Sequence, residues 1–209
     1  ACAPYRRLDL CVRNLENIND VKKINTKDNL LLEVCVAAKH EGESITGRYP
    51  QHQETNPGTA SQLCTVLARS FADIGDIIRG KDLYLGYDEK EKKRRKKLEQ
   101  KLKEIFGIIY NNLMQDLKED QTKKVEAEKR YNDTTDYFQL REDWWELNRE
   151  KVWKAITCNA GGYSYFRKTA CNGGSTATTT QCRCINSDVP TYFDYVPQYL
   201  RWFEEWAER

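Results

Sequence analysis

Apolar residues recur every three or four positions along several stretches of this chain, the period of helices that bury one face. The clearest is the row Leu63, Leu67, Phe71, Ile74 and Ile78, which predicts a helix starting near Thr59 or Ser61 and ending at Gly80. A longer row, Leu98, Leu102, Ile105, Ile109, Leu113 and Leu117, predicts a helix opening near Asp88. Gly107 inside it costs about 1 kcal/mol against Ala, tolerable at that length. Tyr137 to about Thr157 carries Phe138, Trp145 and Val152 in one row, with Trp144, Trp153 and Ile156 beside it. Trp145 and Val152 are expected to pack against the Ile105/Ile109 stripe, and one of the adjacent pair Trp144/Trp145 should point partly away from the main row. A shorter helix is expected from Asp28, as N-cap, through Leu30, Leu31, Val34, Cys35 and Ala38. Pro197 suits the first turn of a last helix, Gln198 to Arg209, whose apolar residues are Leu200, Trp202, Phe203 and Trp206.

Between these rows the pattern breaks. Glu41 to Gly58 holds three Gly and two Pro and reads as loop. Lys118 to Asp136 is polar and expected to be exposed and partly helical. Cys158 to Asn186, with the run Gly-Gly-Ser-Thr-Ala-Thr-Thr-Thr, suits a surface loop. The fold class that follows is all-α, a helical bundle with stapled loop regions at both ends. Three parts are expected: 1–60, loop-rich and stapled; 61–195, a helical bundle with a cysteine-rich loop; and 196–209, a last helix whose aromatic face should have a partner further on.

Composition adds the compartment. Among 209 residues, 39% are hydrophobic and 11% aromatic, against the pattern of a disordered protein. Eight cysteines, Cys2, Cys11, Cys35, Cys64, Cys158, Cys171, Cys182 and Cys184, include no Cys-x-x-Cys pair, and the two histidines, His40 and His52, form no cluster with them. That argues for disulfides in an oxidising environment rather than a metal site. Four cysteines precede residue 65 and four follow residue 157, so bridges are expected within each group. Cys182 and Cys184 are too close to bond each other, so each should take one of Cys158 and Cys171. No apolar run approaches the roughly 18–20 residues that span a bilayer. The opening Ala-Cys-Ala-Pro-Tyr-Arg-Arg has no initiator Met and no signal-peptide core. The sequence reads as part of a longer one, its anchor lying outside.

No catalytic constellation is apparent, and no cofactor or metal is expected. Gly75 to Lys81 fits G-x-x-x-x-G-K, but Asp82 stands where a hydroxyl should ligate magnesium, and helix precedes it where a strand is needed. It reads as a helix end capped by Gly80. The carboxylate pairs Glu142/Asp143 and Glu204/Glu205 are adjacent on helices and read as solvated faces. With 34 basic and 32 acidic residues the net charge of +2 says little, but its distribution says more. Lys90 to Lys97 reads Lys-Glu-Lys-Lys-Arg-Arg-Lys-Lys; within it Lys92, Lys93, Arg94, Arg95, Lys96 and Lys97 are six consecutive cations, and Lys101 and Lys103 continue them on the same helix. Mutual repulsion there costs a few tenths of a kcal/mol per pair. The run is either a solvated face or a polyanion site, which outside a cell means sulfated glycans rather than nucleic acid. Arg141, Arg149 and Lys151 could extend it; Arg6, Arg7, Arg167 and Lys168 are rival patches.

Five blocks carry a resemblance: Ala1 to Arg7 with Leu10-Cys11, Phe71 to Gly80, Leu140 to Trp145, Val152 to Cys158, and Tyr195 to Trp206. In this order they resemble the alpha class of Duffy-binding-like domains, from the variant erythrocyte membrane protein 1 family of the malaria parasite. The resemblance implies a helical domain of three subdomains, of which this sequence spans two and enters the third. It also implies display on the infected red-cell surface and adhesion to host receptors, with rosetting and antigenic variation. Heparan sulfate, blood-group sugars or a complement receptor are implied ligands; host antibodies and neighbouring domains of the parent protein are further partners. The other role the family implies is a variable spacer that supports a neighbouring binding module. The family holds its binding residues in no fixed motif, so the basic run stands on local chemistry alone.

Overall fold

The computed structural model describes residues 2–18, 24, 26–55, 62–165 and 167–208. Two short helices, α1 (Tyr5–Leu8) and α2 (Arg13–Glu16), lead into α3 (Lys27–Thr55) and α4 (Leu63–Arg79). There follow α5 (Glu89–Asp116), α6 (Gln121–Arg130), α7 (Phe138–Ile156), a 3₁₀ turn (Phe193–Tyr195) and α8 (Gln198–Ala207). Among the described residues there is no strand, only isolated bridges at Tyr163–Gln181 and Cys171–Thr176. The fold is all-α, as the periodicity predicts.

Helices α3, α4 and α7 pack pairwise around one core, and α5 joins it through α2 and α7. Helix α4 is the innermost, with every residue from Leu67 to Arg79 buried. It stops where expected, because Gly80 adopts a left-handed φ of 73° and its N–H and that of Lys81 return to the carbonyls of Ile77 and Asp76. Gly75 therefore lies inside a helix, and the phosphate-loop pattern is a helix end. The expected starts at Thr59 or Ser61, and the divide after residue 60, lie outside the described residues.

Helix α3 is the largest departure from the sequence reading. It runs through the stretch expected to be loop, with Gly42, Gly47 and Pro50 inside it. Gly42 has a packing reason: a Cβ there would stand 2.0 Å from the Ile156 carbonyl oxygen, so the residue lets α3 cross α7 backbone to backbone. Nothing packs on Gly47 to explain it. His40 and His52 sit on the exposed side of this helix.

Helix α7 also corrects two expectations. As expected, Trp144 and Trp145 point to different neighbours, and both are buried because α7 lies between α4 and α5; what changes is the partner of Trp145 and the place of Phe138. Trp145 packs on α4, its ring 5.1 Å from Phe71, rather than on the Ile105/Ile109 stripe; Trp144 is the one that meets α5, edge-on to Phe106 at 6.0 Å. Phe138 is exposed: Asp133 accepts from the backbone N–H groups of Thr135, Asp136 and Phe138, and that turn leaves the first helical residue outside. On α8, Trp202 is buried, whereas Leu200, Phe203 and Trp206 are partly or largely exposed.

One bridge crosses the expected cysteine groups. Cys64 bonds Cys182, closing a sequence separation of 118, while Cys171 bonds Cys184 within the second group. The polypeptide after α7 folds back over it, where Trp153 Nε1 donates to the Cys182 carbonyl at 3.1 Å, and this brings Cys182 to the first turn of α4. Cys2, Cys11, Cys35 and Cys158 carry unbridged thiols. Cys2 lies before α1, Cys11 beside Glu41, Cys35 on α3 and Cys158 just past α7.

Two carboxylates sit inside α4. Asp73 receives Arg6 of α1 at 2.7 Å and Arg201 of α8 at 2.7 Å, and Asp76 receives Arg201 at 2.5 Å and Arg79 at 2.9 Å. Gln198 donates to Asp73 at 3.1 Å, and Arg6 continues to Glu205 at 2.9 Å. Glu205 is therefore a buried partner rather than a solvated residue, and Glu142 and Asp143 are likewise engaged, by Lys81 and by Arg130. The two ends of the sequence meet here: Trp206 Nε1 donates to the Cys2 carbonyl at 3.0 Å and its ring meets Tyr5 at 5.7 Å. Burial would raise Asp73, but Arg6, Arg201 and Arg7 outweigh it and hold its carboxyl below the usual value; burial wins at Asp76 and pushes it up to about 6.

Peptide mapping should recover the pairs Cys64–Cys182 and Cys171–Cys184. Removing the longer bridge by Cys64→Ala with Cys182→Ala should cost about 4–5 kcal/mol, and the shorter one about 3 kcal/mol, in chemical denaturation. The clamp should show in pH dependence. Asp73 is depressed in the folded state, so its contribution is present above the unfolded value of 3.8 and is lost as pH falls below it. Asp76 is raised, so its neutral form favours folding at acid pH and that gain fades as pH rises through about 6. Asp73→Asn should therefore destabilise by about 3–5 kcal/mol at neutral pH, the range for breaking a buried pair, and Asp76→Asn by less. Equal losses in the two variants would contradict the assignment.

Candidate functional site: the basic face of helix α5

Helix α5 begins at the basic run because Asp88 caps it, its side chain accepting the Glu91 N–H at 2.7 Å. Glu91 is turned inward, 2% exposed, and draws Arg94 and Arg95 to itself. Arg95 is the better held: its Nε donates to Glu91 at 2.8 Å, a guanidinium nitrogen lies 3.5 Å from Glu16 of α2, and the group stacks 5.4 Å from the Tyr84 ring. Arg7 covers the same ring at 4.8 Å. One turn further on, Lys101 is buried and its Nζ donates to the Glu16 carbonyl at 2.6 Å. Burial, with the nearby Lys97 cation, draws its pKa below the ordinary lysine value.

The run therefore divides around the helix. Arg95 and Lys101 fasten α5 to α2 and to the 81–87 segment. Lys92 pairs with Glu89 at 2.7 Å. Lys90, Lys93, Lys96 and Lys97 are exposed, and among the described residues no carboxylate lies within 4.0 Å of their ammonium groups. With half-exposed Arg94, three of these, Lys90, Lys93 and Lys97, line a shallow outer depression of ≈ 380 Å³ that also includes Glu89. Their i, i+3, i+4, i+7 spacing puts four cations on one stripe about 10 Å long. Around the helix, Lys92, Arg95 and Lys96 edge a second cavity of ≈ 500 Å³ floored by Ile77, Tyr84 and Leu98.

The other cations weighed from sequence mostly have structural posts. Arg141 is completely buried, donating to the Ile77 and Ile78 carbonyls and to Glu99, and Arg149 grips Asp194 at 2.7 Å. Arg6 and Arg7 belong to buried ion pairs. Lys151, Arg167 and Lys168 are exposed, away from α5 in sequence. Lys90 was the residue the sequence pattern undervalued: Glu91 interrupts the run in sequence but points inward in space. The signal was there, since Asp88 followed by an acid three residues on marks a helix start and places Glu91 on the inner side.

The comparisons with known proteins agree with this architecture. A family model described as the Duffy binding domain matches residues 1–201. The chain belongs to the Duffy binding domain family. Among solved structures, the NTS-DBL1(alpha-1) domain of Plasmodium falciparum membrane protein 1 (PfEMP1, varO strain) is 42% identical, with a TM-score of 0.73 over 100% of this chain and 43% of its own. A PfEMP1 DBLbeta domain bound to ICAM-1 is 33% identical, with a TM-score of 0.69 over 99% of this chain and 44% of its own. The Duffy receptor beta form of Plasmodium knowlesi is 24% identical over 99% of this chain but only 14% of its own length. The chain thus spans less than half of each relative named here. Of these relatives, one is a domain bound to ICAM-1 and one is named a receptor.

Separating the two roles of the run is straightforward. Arg95→Ala and Lys101→Ala should lower the melting temperature, because each leaves a buried partner on α2 or Glu91 unpaired. Lys93→Ala and Lys97→Ala should leave it unchanged. A loss of stability in the second pair would place those lysines in the framework.

Proposed function

We propose that this Duffy binding domain is an adhesion module that binds a receptor on host cells, and that the outer stripe of α5 takes a sulfated glycan such as heparan sulfate. The observation that carries the glycan reading is the contrast in how cations are used. Almost every buried arginine has a carboxylate or carbonyl partner, whereas Lys90, Lys93 and Lys97 present charge to solvent on one stripe beside Arg94. A polymer carrying a sulfate on successive sugars suits such a row, because each contact releases condensed counterions. Receptor binding in general is supported by the relatives: a DBLbeta domain is bound to ICAM-1 and the knowlesi protein is a receptor by name. Blood-group sugars are a further candidate ligand, and host antibodies a further partner. Among the described residues no helix is long and apolar enough to cross a membrane. In this reading, segments outside the present sequence anchor it at the surface of the infected red cell.

Heparin affinity of the domain should fall steeply between about 50 and 200 mM salt. Charge reversal at Lys90, Lys93 and Lys97 together should weaken binding and flatten the salt slope by about three contacts, with helical content unchanged. Arg95 is left intact in this variant, since it holds the fold. An unchanged slope would move the site off α5. Absence of binding by the parent domain to heparin and to red cells of any blood group would favour the other role, a variable spacer for a neighbouring binding module.

A further inference from the structure

The Cys171–Cys184 bridge closes a loop whose tip has an unusual exposure of backbone chemistry. Residues 172–175 protrude between the paired residues Cys171 and Thr176, and all four are exposed. The N–H groups of Gly174, Ser175 and Thr176 all turn back to the Cys171 carbonyl, at 3.1, 2.9 and 3.2 Å. Asn172 and Gly173 at the head of the tip are both left-handed, with φ of 52° and 63°. Among the described residues neither the Asn172 side-chain amide nor the Gly173 N–H has a hydrogen-bond partner. Asn-Gly suits such a turn because asparagine tolerates this conformation and glycine adopts it freely.

We infer that Asn172 is a site of spontaneous deamidation. The Gly173 backbone nitrogen, losing its proton to hydroxide, attacks Cγ of Asn172; the new bond between them closes a five-membered succinimide. The bond from Cγ to Nδ2 breaks, and that nitrogen takes a proton from water and leaves as ammonia. A second water then opens the ring at either carbonyl, giving aspartate or isoaspartate, with no change of oxidation state. Glycine contributes by lacking a side group to screen its nitrogen, and the exposed tip contributes access for water and hydroxide. Asn186, followed by Ser187, is the internal control. It too is exposed, but its Nδ2 donates to Asp188 Oδ2 and its Oδ1 accepts the Asp188 N–H at 3.3 Å, which ties the group that must react. The product places a new negative charge at the loop tip, so one gene product would present two surfaces there.

The test is incubation of the folded, oxidised domain in mildly alkaline buffer, followed by proteolysis and mass-resolved peptide mapping. The loop peptide should convert first, splitting into aspartate and isoaspartate forms, while the peptide holding Asn186 keeps its amide. Asn172→Gln should remove that conversion and leave the rest of the map unchanged, because glutamine must close a slower six-membered ring. Conversion of Asn186 ahead of Asn172, or an Asn172 amide that persists in the folded domain while the reduced, unfolded protein deamidates, would overturn the inference.

Discussion

Two carboxylates placed within the most deeply buried helix set the terms for the rest of this domain. Asp73 and Asp76 cannot keep their charge inside α4 without cations, because desolvating an ion costs several kcal/mol unless a well-oriented partner compensates. Arg79 comes from the same helix, but Arg6 and Arg201 come from opposite ends of the sequence. Helices α1 and α8 are therefore located by charge more than by apolar area. Helix α8 buries only one of its aromatic residues fully, Trp202, and even that indole points its N–H at Asp73.

The same reasoning separates the domain's cations by fate. Arginine takes the interior positions, where its planar group can serve two acceptors or stack on a ring, as Arg95 and Arg149 both do. Lysine dominates the outer stripe of α5, where a compact, hydrated charge is at ease in water. A run of six like charges survives on one helix because its most inward arginine is neutralised by Glu91 and Glu16, and because the helix start is fixed by Asp88.

The sequence was most legible where a single helix decides its own fate. The rows on α4, α5 and α7 located those helices, and Gly80 marked the end of α4. Three things depended on partners that no periodicity reveals. Gly42 looked like a breaker, but serves as the crossing point of α3 on α7, and so hid half of a long helix. Cys64 looked like the last of an N-terminal group, yet it stands at the start of a helix over which the later polypeptide returns. Within the basic run, consecutive residues point to different sides of a helix, so a block contiguous in sequence is split in space. Arg95 and Lys101 turned out to be framework, while Lys90, on the far side of an acid, belongs to the exposed stripe.

The meeting of Cys2 and Tyr5 with Trp206 has a mechanical consequence. A pull applied at Cys2 and Trp206 would enter and leave through adjacent residues. The load would fall on the clamp of Arg6, Asp73, Glu205 and Arg201, peeling α1 and α8 apart pair by pair. Helices α3, α4 and α7, with Cys64–Cys182 tying the first turn of α4 to the loop after α7, would stay off that line of force. So would the lysine stripe of α5, which would keep its shape until the clamp gave way.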